Sequence, residues 1–403
     1  MDAWWYQPEP RAFRIGVSRA HSKEEVAWRW FNVGGCGRSA VTRPGYRYKM
    51  VKPQAAMGIR RTRMAAPSTV AIESVRGATA EEWDAYWMGC RAATYFHSRE
   101  WVEAWRVYTS GRVEPSARHI AFSDGASAVL PIAMEQFRGG LSARAWMSLA
   151  GTYGGWLSAD TLTPHHVGLI YDWVARSFRS AFWRLNPFDP SSTCLADRVV
   201  EPGETQAIWL ADGIDAAFAK SREDHRWAVR KAVREGVTTR RAASLDDWRA
   251  YYAVYEDSLR RWGEAATSRY GWRLFEALYD LASPHISLWL AEKEGQIISG
   301  ALCFYAARNA VEWHAASLEK SLPAKPADML KHAAMEEGCS RSIDWYDLGP
   351  SGGHEGVRAF KAKLGPTVLQ APVVCRPSRW SMPTRRLVGS LKRRLHWPPA
   401  SKS

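Results

Sequence analysis

The sequence predicts an α/β (α+β) protein of two similar blocks, each a mixed, largely antiparallel sheet flanked by helices. Three observations predict it. Helical and strand periodicities alternate along 67–375. The order of elements in the first block returns in the second. Between them, Asn186-Pro187-Phe188-Asp189-Pro190 places two prolines in five residues and stops regular structure.

In the first block, Thr79-Ala80-Glu81-Glu82 is a capping box, and a helix follows to Gly89. Ser98 opens a second helix to Thr109. A strand at 117–122, a Ser123-Asp124-Gly125 turn and a strand through Ala128–Ala133 come next, then a strand at 143–149. Thr163-Pro164 starts a helix to Arg179, with proline at the first helical position, and a strand at 182–186 closes the block.

The second block opens with a strand at 206–210 and a helix from Asp212. Ser221 is expected to cap a long helix ending at Gly236. A strand at 237–242 and a helix from Ser244 to Trp262 follow. Strands at 286–292, 296–306 and 310–317 form a meander. Helix 326–339, strand 343–347, a glycine loop, helix 355–363 and strand 367–374 complete the order.

Charge divides the 403 residues further. Of the net +14, +9 belongs to residues 1–63 and +8 to 376–403, leaving the body at −3. A nucleic-acid footprint belongs on a folded face, so pI alone argues weakly for one. The expected organisation is a basic extension (1–66), two domains (67–190 and 191–375) and a basic tail (376–403). Residues 1–63 lack periodicity, and Met57 or Met64 is an alternative start. In the tail, Leu387, Val388, Leu391 and Leu395 form one helical stripe among cations, an interfacial pattern for an anionic membrane. No run of about 18 apolar residues and no secretory h-region occurs, so a cytoplasmic chain, peripheral to the inner membrane face, is expected. The six cysteines show no zinc spacing, and no metal is expected.

Three segments carry a resemblance. Arg226-Trp227-Ala228-Val229-Arg230-Lys231-Ala232, running on to Gly236-Val237, is a basic helix. Leu290 to Ala301 is a two-strand hairpin. Tyr346-Asp347-Leu348-Gly349-Pro350-Ser351-Gly352-Gly353, followed by Gly356-Val357-Arg358-Ala359-Phe360-Lys361, is a strand, loop and helix. Together they resemble the FemAB-like, peptidoglycan bridge-forming aminoacyltransferase-like branch of the GNAT acyltransferase superfamily. Leu130-Pro131-Ile132 and Tyr153-Gly154-Gly155 are similar to that family's first domain.

The resemblance implies tandem GNAT-like domains and amide formation on an amine of a cell-envelope glycan or peptidoglycan-type precursor, with a lipid-linked precursor among the candidates. Acyl-CoA and aminoacyl-tRNA both remain open as donors. The rivals are an acetyl-CoA-dependent N-acetyltransferase of a sugar amine, a non-catalytic envelope-associated binding protein, and a tRNA or other nucleic-acid binder. Ser321–Ala327 lacks the glycine-rich phosphate loop that in ordinary GNAT enzymes binds the CoA pyrophosphate at a helix N-terminus.

The resemblance places Phe360 and Lys361 at the reaction centre, where a fixed cation would favour a developing oxyanion. Asp347 is expected to orient or deprotonate the amine, or to open the loop as an Asx-turn. Ser351, Gly352 and Gly353 could hold an anion on free N–H groups, or form a plain turn. Arg226 and Arg230, with Arg234, form a stripe suited to a phosphate-rich substrate, or a solvated face. Strict alternation puts Glu312 and His314 on one strand face, one of them a candidate base, with Trp313 on the other. Trp313 could stack on a sugar ring.

Overall fold

The structure is a computed structural model and describes residues 70–375, apart from 138–141, 264, 265, 267, 268 and 353. The basic extension and the amphipathic tail therefore lie outside the described residues.

The first block runs β1 (Ile72–Gly77), α1 (Ala80–Gly89), α2 (Arg99–Tyr108), β2 (Val113–Pro115), β3 (Arg118–Phe122), β4 (Ser127–Leu130), β5 (Ala133–Phe137), β6 (Ser142–Trp146), α3 (Pro164–Ser177) and β7 (Ala181–Arg184). Caps set the helix starts. The Thr79 hydroxyl accepts from the Glu82 N–H at 3.2 Å while the Glu82 carboxylate accepts from the Thr79 N–H at 2.9 Å. The Ser98 hydroxyl accepts from the Trp101 N–H at 3.1 Å. The strand expected over 128–133 is broken at Pro131-Ile132, because proline cannot donate to a ladder.

The second block runs β8 (Glu204–Trp209), α4 (Ile214–Lys220), α5 (Glu223–Arg234), β9 (Thr238–Arg241), α6 (Leu245–Trp262), α7 (Trp272–Asp280), β10 (Ile286–Lys293), β11 (Gln296–Ala306), β12 (Asn309–Ser317), α8 (Pro326–Ser340), β13 (Trp345–Asp347), α9 (Glu355–Ala362), β14 (Thr367–Gln370) and β15 (Val373–Cys375). Gly236 follows α5 at φ +73°, the left-handed conformation that ends a helix. Ser221 does not cap α5: its hydroxyl donates back to the Phe218 carbonyl at 2.6 Å, and the N-cap position falls to Arg222.

Three sheets result, ordered β1-β3-β4, β15-β7-β6-β5-β2 and β14-β8-β13-β12-β11-β10-β9. Each of the two larger sheets contains one parallel pair joined through a helix. These are β6 and β7 around α3, and β12 and β13 around α8. This repetition is the tandem architecture. The final strand expected at 367–374 is two strands. After Ala371-Pro372 the chain changes sheets: β14 pairs with β8, and β15 with β7.

One hydrophobic core crosses both blocks. Tyr95 stacks on Phe304 at 4.5 Å between ring centroids, and Trp101 meets Trp313 edge-on at 5.3 Å. Of the 16 tryptophans described, eight are buried (Trp83, Trp87, Trp101, Trp105, Trp146, Trp156, Trp183 and Trp248), and Trp173, Trp272, Trp289 and Trp313 pack against the core. No helix among the described residues is long and apolar enough to cross a membrane.

Candidate active site

The site arises where two strands part. β12 and β13 run parallel for three pairs only, Asn309–Trp345, Ala310–Tyr346 and Val311–Asp347. β12 continues to Ser317, whereas the chain after Asp347 turns away through Gly349 at φ +74°. A cleft of about 810 Å³ opens there. It is lined by β12, by the loop Leu348–Gly352, by one face of α9 and by Thr152-Tyr153 of the first block.

The loop is pinned at both ends. Asp347 is fully buried, and its carboxylate accepts three bonds: from the Tyr153 hydroxyl (2.6 Å), the Thr205 hydroxyl (2.5 Å) and the Gly349 N–H (2.9 Å). Burial raises its pKa, opposed by those bonds and by the Lys361 charge. At the other end, the Lys361 ammonium donates to the Gly349 carbonyl at 2.7 Å and to the Pro350 carbonyl at 3.1 Å. Lys361 is 7% exposed. Burial pushes its pKa down to about 8, against the pull of Glu312 and Asp347. An ammonium has three N–H donors. Two are spent on the loop, and the third has no protein acceptor among the described residues.

Glu312 lies beside this ammonium. Its carboxylate accepts from Lys331 of α8 at 2.8 Å and from the Tyr346 hydroxyl at 3.0 Å. Glu312 and Lys331 are both buried. Two cations lie against the Phe360 ring, Lys331 at 5.2 Å and Lys363 at 4.2 Å from its centroid. Lys363 is paired with Asp328 at 2.5 Å, and Asp328 also takes His225 Nδ1 at 2.9 Å. Burial works against ionisation of Asp328, yet these two partners hold its pKa below the usual range.

The expected site residues divide by place. Phe360, Lys361, Glu312, Ser351, Gly352, Trp313 and His314 all line the cleft. The Ser351 hydroxyl donates to Gln206 at 2.9 Å, and Gly352 turns at φ +58°. Gly353 lies outside the described residues. Asp347 does not line the cleft; it is the Asx-type anchor behind the loop. Arg226 and Arg230 are not brought to the cleft either. Both guanidinium groups bond Glu223 on their own helix, and Arg226 also bonds the Ser221 carbonyl.

One expectation fails for a clear reason. Glu312 and His314 do not share a face of β12. Leu302 faces His314 and Cys303 faces Glu312, so Trp313 is the extra residue of a β-bulge. One inserted residue reverses the alternation. Glu312 meets α8 and β13, while His314 meets α6 and α7.

Lys331 and Thr205 were missed, and Tyr346 and Tyr153 were named only as motif residues, with no role. Lys331 carried a signal: it falls on the apolar stripe of α8 with Leu330, Ala334 and Met335. A lysine on a buried stripe asks for a carboxylate partner.

Residues 219–362 match the acetyltransferase (GNAT) domain family. Among the curated proteins, none matches the chain in sequence. Among solved structures, FemX overlays with a TM-score of 0.58 at 14% identity, over 76% of this chain and 98% of that one. L-PGS from Bacillus licheniformis overlays more loosely, with a TM-score of 0.44 at 15% identity over 69% and 90%. A tandem GNAT protein from the clavulanic acid biosynthesis pathway gives 0.40 at 13% over 74% and 97%.

The repeated sheet-and-helix blocks make this a tandem fold, and residues 219–362 of its second block are the part that matches the acetyltransferase (GNAT) domain family. Its fold is similar to that of FemX, as the resemblance of its motifs leads one to expect. At 14% identity the likeness is one of fold.

Proposed function

We propose that the chain is an acyl or aminoacyl transferase that forms an amide on an amine of a cell-envelope glycan or peptide precursor. The observation that carries this reading is the buried Lys361 ammonium with one N–H unspent at the head of the cleft.

The amine nitrogen attacks the donor's acyl carbon. A C–N bond forms and the carbonyl π pair moves onto oxygen. The free N–H of Lys361 meets that oxyanion, in a site held before the substrate arrives. The oxyanion collapses, the bond from acyl carbon to the donor's oxygen or sulfur breaks, and the amine gives up one proton. Glu312 and Glu355 both line the cleft; Glu312, the one beside Lys361, is the acceptor for that proton, which then passes to the departing oxygen or sulfur. Asp347 is a positioning residue: it fixes Gly349, whose carbonyl fixes Lys361.

The donor is better read as one that does not use the α8 N-terminus for a diphosphate. Pro326 has no N–H to offer there, and the first turn already contains the Asp328 carboxylate. This favours an aminoacyl ester. The match to an acetyltransferase domain favours a second reading, acetyl transfer from acetyl-CoA to a sugar amine. Purified protein incubated with aminoacyl-tRNA or acetyl-CoA, together with muropeptide or amino-sugar acceptors, separates them by the mass of the amide product. No amide with any pairing would leave a binding protein instead.

A further inference from the structure

We infer that His314 serves the cleft as a neutral hydrogen-bond donor, offering its Nε2–H to an uncharged oxygen of the bound substrate, and that it is not the proton acceptor of the reaction. The inference rests on the reading of this cleft as the substrate site.

Gly300 sets the geometry around His314. A Cβ on Gly300 of β11 would sit 2.3 Å from Cδ2 and 2.6 Å from Cε2 of Tyr251. Only a bare backbone lets the Tyr251 ring of α6 lie that close to the sheet. From there the Tyr251 hydroxyl reaches Nδ1 of His314 at 2.6 Å. The bulge at Trp313 turns His314 toward this face.

Hydrogen-bond bookkeeping then fixes the tautomer. Tyr251 is fully buried, and the His314 ring is its hydroxyl's one partner among the described residues. If Nδ1 carried the proton, the phenol hydrogen would be buried with no acceptor, which native structures avoid. The hydroxyl therefore donates to Nδ1, and the imidazole hydrogen sits on Nε2. Nε2 has no protein partner among the described residues, and the ring lines the cleft.

The surroundings keep the ring neutral. Tyr251 and Tyr255 of α6, Phe275 of α7, Tyr270 and Trp313 pack around it. The titratable groups among these are tyrosines. Glu312 is on the opposite face of the strand, and Arg261 of α6 donates to the Ser317 carbonyl. Burial alone drives the His314 pKa down to about 3. A neutral imidazole with a fixed N–H polarises or orients an oxygen; it does not take a proton.

The test reads the ring directly. Full-length protein labelled with 15N-histidine carries 11 such rings. Long-range 1H–15N spectra of wild type and His314→Gln identify the His314 signals by difference, and Tyr251→Phe identifies them independently should the first variant fold poorly. The expected result is a neutral Nε2–H pattern unchanged from pH 5 to 9, converted by Tyr251→Phe to a mixed or titrating ring. A His314 signal titrating near pH 6–7, or an Nδ1–H pattern, overturns the inference whatever the substrate proves to be. In the transfer assay, His314→Leu should lose roughly tenfold or more in kcat/KM, with glutamine, whose amide keeps an N–H, recovering much of it. Loss of the acid limb of the pH profile in these variants would instead make His314 the base.

Discussion

The Tyr153 hydroxyl donates to Asp347 at 2.6 Å across 194 residues of sequence. It is the direct bond between the first block and the loop that seats Lys361. Removing it leaves a buried carboxylate with one donor fewer, at a cost of about 1–3 kcal/mol. Tyr153→Phe should lower stability by that amount in chemical denaturation. It should also lower transfer activity, because the Gly349 carbonyl loses its fixed position. Unchanged stability would mean that Thr205 and Gly349 suffice for Asp347.

Glu312 and Lys331 form a buried pair, so removing one partner strands the other's charge. Lys331→Met should destabilise by roughly 3–5 kcal/mol. The double variant Glu312→Gln, Lys331→Met should recover part of that loss while remaining inactive. A double-mutant cycle in urea with no coupling between the two sites would contradict the pairing.

Gly300→Ala forces a methyl group into the Tyr251 ring. Overpacking of this kind costs about 1–3 kcal/mol. The variant should fold with a lower Tm and a displaced His314 ring. A Tm equal to wild type would show that the ring slides aside freely.

Lys361 gives a pH signature with two opposite signs. Burial lowers its pKa from 10.5 to about 8. Between those values the folded chain binds fewer protons at this group than the unfolded chain does. Its contribution to stability therefore rises as pH climbs through that window. Activity, which needs the ammonium, should fall with a midpoint near 8 over the same interval. Lys361→Arg keeps its charge far above that pH. Whatever turnover it retains should lack the alkaline limb, and a limb that persists would belong to another group.

Much of this architecture was legible in the sequence because it is local. The capping boxes at Thr79 and Ser244, the left-handed Gly236 and the meander from Ile286 to Ser317 all announce themselves within a few residues. Phe360 and Lys361 were legible through their motif, and the structure does place them on the cleft. What escaped depends on distant or odd-numbered contacts. A single bulged residue at Trp313 separated Glu312 from His314. The Tyr153–Asp347 bond joins two blocks that no local pattern relates. The arginine stripe of α5 is correctly spaced, but Glu223 already satisfies its first two members. The change of sheets at Ala371-Pro372 is set by partners in the first block.

The most direct measurement is single-turnover amide formation by Lys361→Met beside wild type, with substrate affinity measured separately. Loss of one preorganised oxyanion donor predicts a fall of about 10²–10³ in rate with affinity nearly unchanged. A variant that turns over at the wild-type rate would contradict the role assigned to this ammonium.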